Sequence, residues 1–457
     1  MRLPLAFAAV VAASCLQCGS SDAGAPGEEP GSSATADGGG GPGTASDGGV
    51  STVDGADPND GGSDPTALTT VPSLALGRVH SCALRADGTV YCWGDDLVGQ
   101  LGRGTAASGS PSYTPTKVVG IKDVARLVAF GEGNCALLRS GTVACWGTNR
   151  SAILAPHGAI GASPNDWTAT PRAIAGLSGV IELAAGSSHV CARKNDKSVW
   201  CWGDNSVGAL GHTDLGDQEC SLSVTFHLPC NSAPRAVAGV AADGLALGGR
   251  HSCARVGAKA SCWGQNDRAQ LGHTPGQGGD TTANTSFMNS VASTPPAAGI
   301  VTLFGATNSS CLLDAANAVS CWGYGFQSPA APAVTSADPF AVGNMPQQVR
   351  KVTNGTCALA GTSVYCWGST EHGALGLGPT PAAPRVAPTV LAALSGLPVS
   401  DVETSTDGGH SCALTSTGAV YCWGFDEHDE LGHDPVGDES GQGRTFSSTP
   451  TRVAGLP

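Results

Sequence analysis

One local pattern recurs along the chain: apolar and polar positions alternate for a few residues, turn tightly and alternate again. That pattern predicts a two-stranded β-hairpin. Each copy ends in Cys-Trp-Gly, beginning at Cys92, Cys145, Cys201, Cys262, Cys321, Cys366 and Cys422, 45 to 61 residues apart. A second cysteine precedes each of these, at Cys82, Cys135, Cys191, Cys253, Cys311, Cys357 and Cys412. Turn chemistry follows the cysteine spacing. Where the two are ten apart, direct opposition leaves a three-residue loop whose third position wants a left-handed residue. That position holds Gly88, Gly141, Asn317 and Gly418, with Lys197 as the one poor choice. Where they are nine apart, the two-residue loops start with Gly257 and Gly361, as a type II′ turn requires.

In either case the cysteines stand three rungs from the pair that closes the turn. Alternation then makes them a non-hydrogen-bonded pair with Cα atoms ~4.5 Å apart, within disulfide range. Seven cross-strand disulfides are expected: Cys82–Cys92, Cys135–Cys145, Cys191–Cys201, Cys253–Cys262, Cys311–Cys321, Cys357–Cys366 and Cys412–Cys422. An eighth, Cys220–Cys230, lies within one insertion. Zinc is the weaker alternative, because metal ligands pair at two- to four-residue spacing. No metal or other cofactor is expected.

Between hairpins further strand patterns repeat. Thr114-Pro115, Thr170-Pro171, Ala233-Pro234 and Met345-Pro346 each lead into an aliphatic residue and then a short apolar stretch, such as 124–130 or 180–185. Four strands per unit, repeated seven times, predict an all-β, seven-bladed β-propeller of four-stranded blades. The last residues, 449–456, copy the strand taken to open each later blade, while the first unit lacks it. The ring is therefore expected to be closed by the C-terminal strand completing the first blade, which removes an open edge.

The run Gly-x-x-His-Ser-Cys-Ala-Leu at 77–84, then Val-Tyr-Cys-Trp-Gly at 90–94 and Gly-Gln-Leu-Gly at 99–102, resembles the regulator-of-chromosome-condensation repeat family. The likeness covers about residues 68–457 and implies a seven-bladed propeller. The Gly-x-Leu-Gly turn is missing from the sequence at 148–163 and 324–332. The family's name-giving member exchanges nucleotide on a nuclear GTPase and docks on nucleosomes. The features below argue against transferring either role.

Composition narrows the possibilities. Charged residues are 13% of the 457, Gly numbers 66 and Pro 29, which argues against a helical bundle or coiled coil. The net charge of -14 argues against nucleic acid as a partner. Much of that charge sits in residues 19–65, which hold nine acids and no Lys or Arg, together with much Gly and Ser. Such a segment is expected to be a disordered linker. Residues 1–18 look like an export signal: Met1-Arg2, an apolar run from Leu3 to Ala13, then Ala12-Ala13-Ser14-Cys15. Small residues before a cysteine resemble a bacterial lipoprotein signal, with Cys15 the lipidated residue. The expected organisation is a signal at 1–18, a tether at 19–65 and a propeller at 66–457. The expected location is outside the cytosol, at the outer membrane or cell surface or otherwise periplasmic or secreted, which agrees with paired cysteines.

Catalytic candidates are few. His80, His189, His251 and His410 precede the first cysteine of their repeats and are expected to make a structural hydrogen bond in each blade. His212, His273 and His433 follow Leu-Gly in three blades, in separate turns. The seven repeated tryptophans are expected to pack between blades. Departures from the repeat are more informative: insertions at 149–167, 212–233, 273–296 and 324–346 carry the off-pattern Trp167, Phe226, His227, Phe287 and Phe326. Aromatics in inserted loops point to a binding face. The expected function is a non-enzymatic, monomeric scaffold that holds a protein or glycan partner at the cell surface. A carbohydrate-active hydrolase or lyase, or a structural surface protein, is the alternative.

Overall fold

In the computed structural model the described residues are 68–104, 111–154, 167–212, 218–223, 226–276, 285–289, 299–324, 336–354, 356–368, 373–378, 385–433, 439–441 and 444–457. For 218–223, 226–228, 285–289, 336, 385–386, 439–441 and 444 only the course of the backbone is described. They form seven antiparallel sheets, five of four strands and two of five. One 3-10 turn, Ala392–Leu394, is the helical element among them. Cys15, the linker and Phe326 lie outside the described residues.

Each sheet runs outward from a short inner strand through the cysteine hairpin to an outer strand. In blade one these are Ser73–Leu76, His80–Leu84 with Val90–Gly94, and Ser112–Lys117. Inner strands of successive blades stand side by side around the axis, and that of blade one, Ser73–Leu76, packs on that of blade seven, Val399–Thr404. The ring is closed.

It is not closed as the sequence pattern suggests. The C-terminal strand Arg444–Arg452 pairs with Val420–Phe425 of its own blade, through Tyr421 with Arg452 and Cys422 with Thr451. The Thr-Pro strand ends the blade before it instead of opening the next, so blade one needs no borrowed strand. Its outer strand, Ser112–Lys117, follows its hairpin directly. What closes the seam is side-chain packing: Leu74, Leu76, Ala83 and Trp93 of blade one form one buried cluster with Leu414, Val420, Leu431 and Val453 of blade seven. Two outer strands also fall inside stretches assigned to insertions, Thr285–Asn289 in blade four and Ser336–Ala341 in blade five. Met345-Pro346 accordingly lies after the outer strand of blade five.

The hairpins are as their spacing predicts. Every Cys pair is directly opposed and disulfide-bonded, with Cα atoms 4.0–4.1 Å apart. Cys230 is also disulfide-bonded, while the side chain of Cys220, its expected partner, lies outside the described residues. Backbone φ is positive at Gly88, Gly141, Lys197, Asn317 and Gly418, and at Gly257 and Gly361. Lys197 takes the left-handed conformation at φ 67° despite its side chain.

The inner strands converge so closely that a Cβ has no room at certain points. One built on Gly305 would lie 2.0 Å from the Leu247 carbonyl oxygen, whereas one on Gly343 would meet nothing within 4 Å. Gly305→Ala is therefore expected to cost about 1–3 kcal/mol through forced backbone movement, and Gly343→Ala less than about 0.5 kcal/mol. Urea denaturation of the two variants checks this, and equal midpoints would contradict the close packing. Thiol titration of the denatured, unreduced chain is expected to find none of the hairpin cysteines free.

Candidate functional site

The junction between blades is built by a short list of polar atoms. After five of the seven hairpins the chain makes a turn in which an Asp or Asn accepts from the N–H of a Leu five residues on. The pairs are Asp96 with Leu101 at 2.9 Å, Asn149 with Leu154 at 2.8 Å, Asn205 with Leu210 at 3.0 Å, Asn266 with Leu271 at 3.1 Å and Asp426 with Leu431 at 3.0 Å. The turn survives at 149–154 without its glycine signature, because Ala152 takes the positive φ that Gly99 supplies in blade one. The residue before that Leu presents its carbonyl to the following blade. There the tryptophan Nε1–H donates to it: Trp146 to Gln100 at 3.0 Å, Trp202 to Ile153 at 3.1 Å, Trp263 to Ala209 at 2.9 Å, Trp322 to Gln270 at 2.9 Å and Trp423 to Ala374 at 3.1 Å. Trp93 donates to Glu430 at 3.0 Å, carrying the same contact across the seam. The tryptophans thus pack between blades, as expected.

The repeated histidines serve the same junction. Nε2 of His80, His189, His251 and His410 lies 3.1, 2.8, 2.9 and 2.9 Å from Asn134, Ser252, Ser310 and Ser81, each in the next blade. Those three serine hydroxyls donate in turn to the carbonyls of Ala209, Gln270 and Glu430, and the Asn134 amide to Gln100. With its proton committed there, each acceptor oxygen takes the proton on Nε2. Blade two has Gly133 in place of the histidine, and the facing position in blade three is Val190. The pair is replaced together.

These imidazoles are fully buried, and burial pushes their pKa down from 6.5, to about 4 for His80 and about 3 for His189, His251 and His410. They are neutral structural groups, as expected from their repetition. The second set does not converge: among the described residues no three His, Cys, Asp or Glu side chains are placed to hold a metal. Backbone carbonyls of His212 and His273 accept from Asn205 and Asn266 at 3.2 Å.

A cavity of about 160 Å³ occupies the axis, lined by the inner strands and by the turns that follow them. Its one end is gathered by bonds between blades: Ser187 N–H to the Gly249 carbonyl at 2.9 Å, Gly249 N–H to Thr307 at 3.1 Å, and Thr307 Oγ1 to the Thr406 carbonyl at 2.7 Å. Asp401 and Glu403 are the paired acids at the axis, but Lys351 Nζ lies 2.8 and 2.7 Å from them. Burial raises the Glu403 pKa against the pull of Lys351. Asp401 also accepts from Leu74 N–H at 2.9 Å. The acids tie blades six, seven and one together.

The insertions share one end of the molecule. In an antiparallel four-stranded blade, the connections from inner strand to hairpin and from hairpin to outer strand fall at one face, and the hairpin turns at the other. Asn149, His212, His273 and Tyr324, where the insertions begin, all follow a second hairpin strand. Trp167 opens the outer strand of blade two opposite Thr148 and is half-buried. Phe226 pairs with Ser223 and His227 with Ser221 in a hairpin that adds a fifth strand to blade three. Phe287 lies in the outer strand of blade four. The side chains of these last three are outside the described residues.

Two models of the regulator of chromosome condensation (RCC1) repeat match the chain, one at residues 73–100, 180–209 and 408–429, the other at 87–138 and 363–414. The chain carries RCC1 repeats on a seven-bladed propeller. A chain in the crystal structure of Kap60 bound to yeast RCC1 (Prp20) is 18% identical, with a TM-score of 0.61 over 88% of this RCC1-repeat chain and 91% of its own. Human WBSCR16 is 18% identical, with a TM-score of 0.62 over 81% and 94%. At that identity the likeness is one of fold. The mouse E3 ubiquitin-protein ligase HERC2 is 27% identical over 225 residues, 46% of this chain but 4% of the ligase. The RCC1-repeat chain therefore spans a small fraction of that curated relative.

The buried histidines set a pH dependence. Their folded pKa values lie below the unfolded 6.5, so their contribution is complete above that value and is lost as pH falls toward 3–4. Well below pH 6.5, stability is expected to drop by about 1.4 kcal/mol per pH unit for each histidine. Urea midpoints measured at pH 7.5, 6 and 5 should fall in that order, and His410→Gln should flatten the slope. A midpoint that does not change over this range would refute the assignment.

Proposed function

We propose that this propeller is an exported, membrane-tethered scaffold that holds a protein or glycan partner through the insertions on one face. The observation that carries the proposal is topological: all four insertions begin in the same connection of their blades, so one face of an otherwise regular ring is elaborated. Elaborated connections on a rigid frame are where propellers and other repeat folds place recognition. The yeast RCC1 of the same fold is bound by Kap60, which supports a partner-holding role in general. Seven buried disulfides favour an oxidising compartment, and the small residues before Cys15 favour a lipid anchor reached through the 19–65 linker. The axial acids are engaged by Lys351, which weighs against the hydrolase or lyase alternative.

Trp167→Ala, Phe226→Ala and Phe287→Ala combined are expected to abolish recovery of the partner from envelope fractions while leaving the circular dichroism unchanged. Undiminished recovery would sink the loop-face reading. Mass spectrometry of the N-terminal peptide is expected to find an acyl-bearing Cys15, and Cys15→Ser should release the chain from membranes.

A further inference from the structure

The two faces differ in charge. On the hairpin face Lys117, Lys122, Arg139, Lys197, Lys259 and Arg452 are exposed, in an arc from the edge of blade seven through blades one to four. The exposed acids of the same arc are Asp87, Asp123 and Asp196. Lys197 meets Asp243 at 2.8 Å. Among the described residues of the arc the six exposed cations outnumber the three exposed acids. The described insertion face is more nearly balanced: its exposed Arg78 and Arg150 meet Glu132, Arg268 stands 3.9 Å from Asp267, and Asp407 and Glu427 are exposed. A chain with a net charge of -14 thus places most of its exposed cations, among the described residues, at one end.

The polypeptide also enters the propeller at that end. Arg126 Nη1 donates to the Thr69 carbonyl at 2.7 Å, and Arg139 donates to Thr70 Oγ1 from Nε at 3.0 Å and from Nη2 at 2.7 Å. Thr69 and Thr70, at the start of the described chain, therefore lie at the cationic face. Cations spread around the rim of a disc match a planar array of phosphates better than the single line of a nucleic-acid strand.

We propose that the hairpin face lies against an anionic, phosphate-bearing bilayer surface, with the insertion face turned outward. This rests on the tethered reading for the presence of a bilayer, but the attraction itself needs no acyl chain. Surface charge acts within about one Debye length, ~10 Å at 0.1 M salt, so the contact weakens as salt rises. The division of labour is simple: the anchor retains the protein, and the cationic rim orients it.

The test uses the full chain carrying Cys15→Ser, which removes the anchor. It is expected to sediment with vesicles of equal parts phosphatidylcholine and phosphatidylglycerol, to stay in solution with pure phosphatidylcholine, and to be released by salt. Lys117→Glu, Lys122→Glu and Lys259→Glu combined should weaken the anionic binding roughly 100-fold. Glu427→Gln, on the opposite face, should leave it unchanged. No binding to anionic vesicles, or equal binding by the triple variant with unchanged circular dichroism, would overturn the proposal. Tighter binding to duplex DNA or heparin than to the anionic vesicles at the same salt would also overturn it, in favour of another polyanion. An unacylated Cys15 in the native protein would refute the tether and leave the vesicle result standing.

Discussion

A single backbone carbonyl at each of six described junctions holds neighbouring blades together. There it is offered by the turn after the hairpin, and it receives the indole N–H of the next blade and, at four junctions, a serine hydroxyl or asparagine amide that a histidine of the blade offering the carbonyl also reaches. A buried carbonyl left unpaired costs about 1–3 kcal/mol, so each turn is stable only with its neighbour's tryptophan in place. The glycine that ends the turn makes that approach possible: a Cβ on Gly432 would sit 2.6 Å from Trp93 Nε1. The requirement is mutual, and it is repeated at each of these junctions.

This explains why no strand need be shared at the seam. The Glu430 carbonyl receives Trp93 and Ser81 as Gln100 receives Trp146 and Asn134, so the junction of blades seven and one has the same chemistry as the first internal one. Asp401 adds a bond from its carboxylate to Leu74 N–H that spans the seam at the axis. Cohesion within a blade is a separate matter, handled by the disulfide that crosses each hairpin. By the chain-entropy model a loop of this size contributes ~2–3 kcal/mol. Covalent bonds hold the blades, and buried packing together with hydrogen bonds holds the ring.

With the frame secured by repeated contacts, the two faces are free to differ. The hairpin face consists of short turns whose residues are set by backbone conformation, and its variation is in charge. The insertion face varies in length, and there the off-pattern aromatics enter. Lys351, placed between Asp401 and Glu403, shows how charge at the axis is spent on structure. A scaffold with one variable face and one cationic face suits a protein that must present itself in a fixed direction.

Much of this was legible in the amino-acid order. Hairpins, turn types, disulfide partners and the number of blades follow from spacing and from where Gly or Asn occurs, because each is settled within about ten residues by backbone geometry. The role of the repeated histidines as structural groups was also legible, but not their direction. Their partners lie 54 to 63 residues away within the chain, or 329 across the seam. Strand assignment failed where it was non-local: the Thr-Pro segment reads equally well as the end of one blade or the start of the next, and only the pairing of Tyr421 with Arg452 decides it. The sequence by itself determined the parts and their count. Which edge each outer strand joins, what closes the ring and which charges share a face were decided by the tertiary structure, since those depend on neighbours that local pattern does not specify.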